Sequence, residues 1–230
     1  MVRKFGCILI FIVILISIAW FKPWEFFDIS WKSMVGLENI KVYSGVSVFS
    51  LKDQIEVYID NEYKDKVDAS GGLLEISEVE PGIHRVTLKK KTEGDVKYYE
   101  YSKSLNFVPG VSNVIAYELG PTEEFSQGHV FYTEKKTDPI EPGNTVISFV
   151  SSITEIEVYL DDKLIGKTPL NNYKINLDKQ QVVKLRKDGY EELSFKILPE
   201  AQEDRNKLEL LRLYIEAELF LKPIDISKEK

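Results

Sequence analysis

Side chains able to do chemistry are few in this sequence and sit apart. His84 and His129 are the only two histidines, and about 45 residues separate them. Neither has a neighbour at the spacing that a nucleophile, a general base or a metal ion requires. Cys7 is the one cysteine, so an intrachain disulfide and a cysteine-based zinc site are both excluded. Nucleophile-elbow, zinc-protease, P-loop and dinucleotide-binding patterns are absent. Asp161-Asp162 has the oxygen chemistry for calcium but lacks a spaced series of further ligands, and a tight turn accounts for the pair better. Glu56 and Glu157 alternate with apolar residues, as on the solvated face of a strand. A pair of hydrolytic carboxylates would need two acids to converge in a cleft. Lys89-Lys90-Lys91, beside Glu93 and Asp95, reads as an exposed hairpin tip. Tyr98, Tyr99 and Tyr101 leave two readings open, glycan stacking or cross-strand packing. No catalytic, cofactor-binding or metal-binding residue is assigned, and an enzyme is not expected.

The composition that must position these residues is that of a folded protein, with 43% hydrophobic and 29% charged residues. A net charge of −7 argues against a nucleic-acid partner, which needs clustered cations.

At the N-terminus Arg3 and Lys4 precede an uncharged run from Phe5 to Phe21. As a helix the run would reach roughly 25 Å, slightly short of a bilayer core. Trp20 and Trp24 suit the headgroup level and Lys22 can snorkel, which extends the span. A cleavable signal peptide, cut after Ser17-Ile18-Ala19, competes with an uncleaved signal anchor. The run continues through Trp20-Phe21 and Ile16 and Ile18 flank Ser17, which makes a poor small-residue site, so the anchor is preferred. Arg3 and Lys4 before the span place the N-terminus in the cytoplasm and the rest outside it. Arg3, Lys4, Trp20, Lys22 and Trp24 are therefore the expected membrane-interface anchors, with membrane lipid as their partner.

Behind this segment the chain repeats itself. Ile55-Glu56-Val57-Tyr58-Ile59-Asp60 recurs as Ile156-Glu157-Val158-Tyr159-Leu160-Asp161, and 46–67 matches 147–168 with about 8 identities. Both hexapeptides alternate with strand period and run into polar turns, Asp60-Asn61-Glu62 and Asp161-Asp162-Lys163. Arg85-Val86-Thr87-Leu88-Lys89 and Val182-Val183-Lys184-Leu185-Arg186 form a second matched pair. Tyr98 to Leu105 and Tyr190 to Ile197 form a third. Leu211, Leu213, Ile215, Ala217, Leu219 and Leu221 fall at every second position, which predicts a long final strand despite many helix formers. The fold expected is all-β: two tandem small antiparallel β-sandwich domains preceded by one N-terminal transmembrane helix. The divisions are an anchor over 1–22, a juxtamembrane segment over 23–40 and a first sandwich over 41–120. A linker over 121–145 follows, holding a candidate edge strand at His129-Val130-Phe131-Tyr132. A second sandwich spans 146–223, and a polar tail 224–230.

These features resemble the PEGA domain, a small β-sandwich repeat of prokaryotic surface proteins. The resemblance covers about 46–119 and 147–221. In the second copy it rests on Val158-Tyr159-Leu160-Asp161, Gly166-Lys167-Thr168-Pro169-Leu170 and Lys187-Asp188-Gly189-Tyr190-Glu191. In the first it rests on Val57-Tyr58-Ile59-Asp60 and Pro81-Gly82-Ile83-His84. The Pro-Glu-Gly-Ala motif itself is missing from both, where Leu51-Lys52-Asp53-Gln54 and Ser152-Ile153-Thr154-Glu155 stand. The resemblance implies an envelope or surface module with no catalytic residue or cofactor to carry over. The function expected is a non-catalytic, single-pass cell-membrane protein with extracytoplasmic modules for protein interaction or spacing. Binding of cell-wall or surface glycan is the alternative.

Overall fold

A computed structural model describes residues 41–50, 52–69, 71–91, 96–135 and 143–222. The apolar run, the five anchor residues Arg3, Lys4, Trp20, Lys22 and Trp24, the juxtamembrane segment and the polar tail lie outside the described residues. Among the described residues no helix is long and apolar enough to cross a membrane.

The described chain is all-β, in several sheets. Its first half contributes β1 (Ser44–Ser50), β2 (Ile55–Ile59), β3 (Glu62–Val67), β4 (Gly72–Val79), β5 (Gly82–Lys90), β6 (Tyr101–Phe107) and β7 (Ser112–Glu118). Then come β8 (Gln127–Lys135) and a second set: β9 (Val146–Val150), β10 (Glu157–Leu160), β11 (Lys163–Lys167), β12 (Leu170–Lys174), β13 (Gln181–Arg186) and β14 (Leu193–Ile197). A short helix, α1 (Gln202–Lys207), precedes the last strand, β15 (Leu211–Glu218). The period-2 reading of the C-terminal run is thus met, with the helix occupying the stretch just before it.

Three sheets result. Two have four strands, in the orders β3-β2-β5-β6 and β11-β10-β13-β14. The third has seven, in the order β12-β9-β15-β8-β7-β1-β4. Not every pairing is antiparallel. β1 runs parallel to β7, and β9 parallel to β15, because the first and last strand of each half meet after the chain has crossed through the other layer.

The larger correction concerns β8. The sequence places His129 to Tyr132 on an edge, yet β8 is the central strand of the large sheet, antiparallel to β7 on one side and β15 on the other. Successive side chains of a strand point to opposite faces. Val130 accordingly enters one core with Val46, Val48, Ile55, Val57, Leu88 and Ile115. Phe131 enters the other with Ile147, Phe149, Ile156, Val158, Leu185 and Ile215. The two four-stranded layers therefore cover opposite faces of one continuous sheet. Each half is β-sandwich-like, and the halves share a wall.

The alternation seen in the repeated hexapeptides is the physical cause of the two cores. Ile55 and Val57 are fully buried in one half and Ile156 and Val158 in the other, while the glutamates between them face outward. Each fully buried aliphatic side chain stabilises the fold by about 1.5–3 kcal/mol. Because β8 serves both cores, shortening Phe131 to alanine should cost about 3–5 kcal/mol. Denaturant unfolding of Phe131→Ala should show both halves melting together at lower denaturant. Two separate transitions, with only one displaced, would mean that the shared strand does not couple them.

Candidate functional site

Four local constellations hold the chain's polar chemistry, and the first is the repeated hairpin turn. Asp60 and Asn61 adopt φ of 51° and 67°, and Asp161 and Asp162 adopt 48° and 64°. Positive φ at both central residues is the two-residue hairpin turn that Asp and Asn tolerate best. Each leading aspartate also reaches the neighbouring strand. The Arg85 N–H donates to Asp60 Oδ1 at 2.9 Å, and the Val182 N–H donates to Asp161 Oδ1 at 2.9 Å. His84 Nδ1 and this N–H hold the Asp60 carboxyl below its usual range, and the Val182 N–H and Lys179 do the same for Asp161. Asp162 pairs with Lys184. The acidic pair is a turn and not a cation cage. Among the described residues no group of three or more His, Cys, Asp or Glu could hold a metal ion.

The structure keeps the two histidines apart. His84 sits on β5 with Nδ1 2.6 Å from Asp60 Oδ2 and Nε2 2.9 Å from the Glu80 carbonyl, and its ring meets Phe107 edge-on. It ties a turn to its neighbour. His129 sits on β8, 9% exposed, with its ring stacked on Phe195 of β14 at 3.6 Å. Its Nδ1 is buried without a hydrogen-bond partner, and burial pushes its pKa down to about 4.

Two further expectations change. Lys89 and Lys90 belong to the body of β5 and not to a tip. Lys89 pairs with Glu100 at 3.0 Å, and Lys90 pairs with Asp53 at 2.7 Å and lies over the Tyr98 ring. Of the three tyrosines, Tyr101 is a core residue, 5% exposed and tilted against Tyr117 with centroids 4.5 Å apart. Burial raises both phenols well above their ordinary range. Cross-strand packing, not glycan stacking, explains Tyr101.

Sequence reading missed the other two constellations. On β8, Tyr132 stacks on Tyr214 with centroids 5.1 Å apart, and Lys103 of β6 lies over Tyr132 and pairs with Glu216 of β15. Near the end of the second half, Arg205 of α1 is 7% exposed and, among the described residues, has no carboxylate partner within ion-pair range. Its guanidinium instead donates to the carbonyls of Leu177, Asp178, Pro199 and Glu200 and to Gln202, at 2.6–3.0 Å. Five directed donors allow one side chain to gather two loops and a helix. The only sequence sign was an arginine in a short polar stretch.

A groove of about 440 Å³ lies beside β14. Its floor is Phe49, Val114, Ala116 and His129, and its wall is Leu193 and Phe195. Ser47, Glu118, Ser194 and Lys196 supply its polar rim.

The stretch from β9 through α1 matches a known family model. Residues 145–210 are a PEGA domain. No curated protein matches the chain. The PEGA domain runs from the start of β9 through α1, and β15 follows the matched residues directly. Within it Thr168, from the Gly-Lys-Thr-Pro turn, uses its hydroxyl to brace the loop before β10. Its Oγ1 donates to the Ile153 carbonyl at 3.2 Å and accepts from the Ile156 N–H at 3.1 Å, while buried to 4% exposure. Arg205 closes the same domain from its far end.

Two outcomes follow. Replacing Arg205 removes the shared donor of four part-buried carbonyls, and an acceptor left unpaired away from water costs about 1–3 kcal/mol. Arg205→Ala and Arg205→Lys should both lower the denaturation midpoint strongly, and lysine should not rescue, because one ammonium cannot reach all the acceptors. For His129 the sign is set by burial. The folded ring stays neutral down to about pH 4, whereas the unfolded ring binds a proton below its ordinary value of 6.5. The unfolded state therefore holds more protons in that window, and stability falls as pH drops from about 6.5 to about 4. The ceiling of this loss is about 3 kcal/mol. His129→Phe keeps the stack and should flatten the stability–pH curve in this window, as read by thermal unfolding at a series of pH values.

Proposed function

We propose that this chain is a non-catalytic, membrane-anchored envelope protein whose two β-modules serve as protein-interaction or spacer domains. In this reading the Phe5 to Phe21 run is a single uncleaved span, with Arg3 and Lys4 on the cytoplasmic side and Trp20, Lys22 and Trp24 at the opposite interface. The modules then stand outside the cytoplasm. Membrane lipid is one partner and an envelope protein the other.

The first half is a second, divergent copy of the PEGA module. Strand order supports this, since β4-β1-β7 mirrors β12-β9-β15 and β3-β2-β5-β6 matches β11-β10-β13-β14. So do details that a shared ancestor explains: the ladder shifts between Val57 and Tyr58 and again between Val158 and Tyr159. Tyr58 donates to Glu56, and Tyr159 to Glu157, both at 2.8 Å.

The observation that carries the interaction reading is the shared sheet. Fusing two sandwiches through β8 leaves half of each face of that sheet without a covering layer, and edge strands beside it. Such surfaces suit protein contacts. Binding of surface glycan is the alternative, for which Tyr132 and Tyr214 are the aromatic candidates on an uncovered half-face. Crosslinking of the full chain in native membranes tests the proposal. A recurrent envelope protein crosslinked to the modules is expected. Random neighbours only, together with retention of the chain on wall polysaccharide, would favour the glycan reading instead.

A further inference from the structure

The two uncovered half-faces differ in character. On the first half one row crosses the strands in register, from Leu73 on β4 to Phe49 on β1, Ala116 on β7 and His129 on β8. Leu73 is 49% and Phe49 38% exposed. The row ends under Phe195, which stacks on His129 from the overhanging edge of the second four-stranded sheet. This apolar surface is continuous with the interface between the halves, where Val108, Val111 and Val114 of the first half already pack into the second core.

β14 is the last strand of its sheet, and its outward main chain can be identified. Val182 spends its N–H and C=O on Asp161, on the β10 side. Gln181, Val183 and Leu185 therefore direct theirs to β14, where they face Ile197, Phe195 and Leu193. Ser194 and Lys196 are left with N–H and C=O pointing over the groove. Their side chains are exposed.

The corresponding edge on the other side is guarded. There β6 places Lys103 inward, over Tyr132 and paired with Glu216. An inward-pointing charge is a known means of keeping a further strand from adding to an edge. At the matching position β14 has Phe195 instead.

We propose that the groove beside β14 binds an extended strand of a partner protein, with apolar residues at alternate positions and an acidic residue facing Lys196. The strand adds to β14 by main-chain pairing with Ser194 and Lys196. Its downward side chains rest on the groove floor at Ala116, Val114 and Phe49, extending the second four-stranded layer over the first half. The exposed ammonium of Lys196 selects the acidic residue on the upper side. A helix, whose main-chain groups are already paired internally, would leave the main chain of β14 unpaired. This inference rests on the interaction reading above and names its site and partner class.

The test uses the full chain in detergent micelles and a synthetic octapeptide of alternating glutamate and valine. Hydrogen exchange at the Ser194 and Lys196 amides should slow on titration with this peptide. The same peptide N-methylated at alternate residues should give no protection. Ser194→Pro removes one outward N–H, and Phe49→Glu charges the exposed floor. Each should weaken binding about tenfold or more while unfolding at the wild-type temperature. No protection at millimolar peptide, or equal binding by both variants, overturns the groove. In native membranes, loss of a crosslinked partner in both variants supports it. A partner kept by both variants overturns the groove and leaves the interaction reading standing, whereas no partner even for wild type overturns that reading itself.

Discussion

The pairing of β8 with β7 and with β15 is the constraint on which the rest of the molecule depends. A strand side chain alternates between faces, so a strand shared by two sandwiches has to send consecutive residues into different cores. Val130 and Phe131 do this, and the choice forces the two four-stranded layers onto opposite sides of one sheet. The relation between the halves is therefore set by ladder geometry and not by the stiffness of a connector. Lys103 with Glu216, and His129 with Phe195, then fasten one outer layer of each half to the shared wall.

Much of each half was legible in the sequence, because half-buried strands write their alternation directly. The Glu-Val-Tyr hexapeptides, the acidic turns after them and the pairing of Arg85–Lys89 with Val182–Arg186 all correspond strand for strand. The role of β8 was not legible from alternation. His129-Val130-Phe131-Tyr132 does not alternate apolar with polar residues, as suits a strand with a core on each face, and its setting between two proline- and glycine-bearing stretches suggests an edge. Parallel pairing of β1 with β7 depends on where a chain returns after some sixty residues, which no local pattern encodes. Tyr101 looked surface-capable because a tyrosine carries the same letter whether its ring is in the core or in solvent. The Arg205 cage was hidden for a related reason: its partners are backbone carbonyls, which are invisible to a reading of side-chain types.

Among the described residues the two histidines do not meet: His84 braces the Asp60 turn and His129 stacks on Phe195. What the fold leaves open is asymmetric. One uncovered half-face is apolar and lies next to an unguarded edge, while the other carries the Tyr132–Tyr214 stack and the Lys103–Glu216 pair. The matching edge positions of the two halves differ in kind, Lys103 on β6 and Phe195 on β14.

Native-state hydrogen exchange of the full chain, resolved to individual amides, tests the shared strand most directly. If β8 unites the halves, the interior amides of β8 should exchange only with global opening, at the same protection as the interior amides of β1 and β9. Exchange of β8 amides orders of magnitude faster than those two strands would show two separately folded sandwiches with a strand loosely laid between them, and would contradict the account.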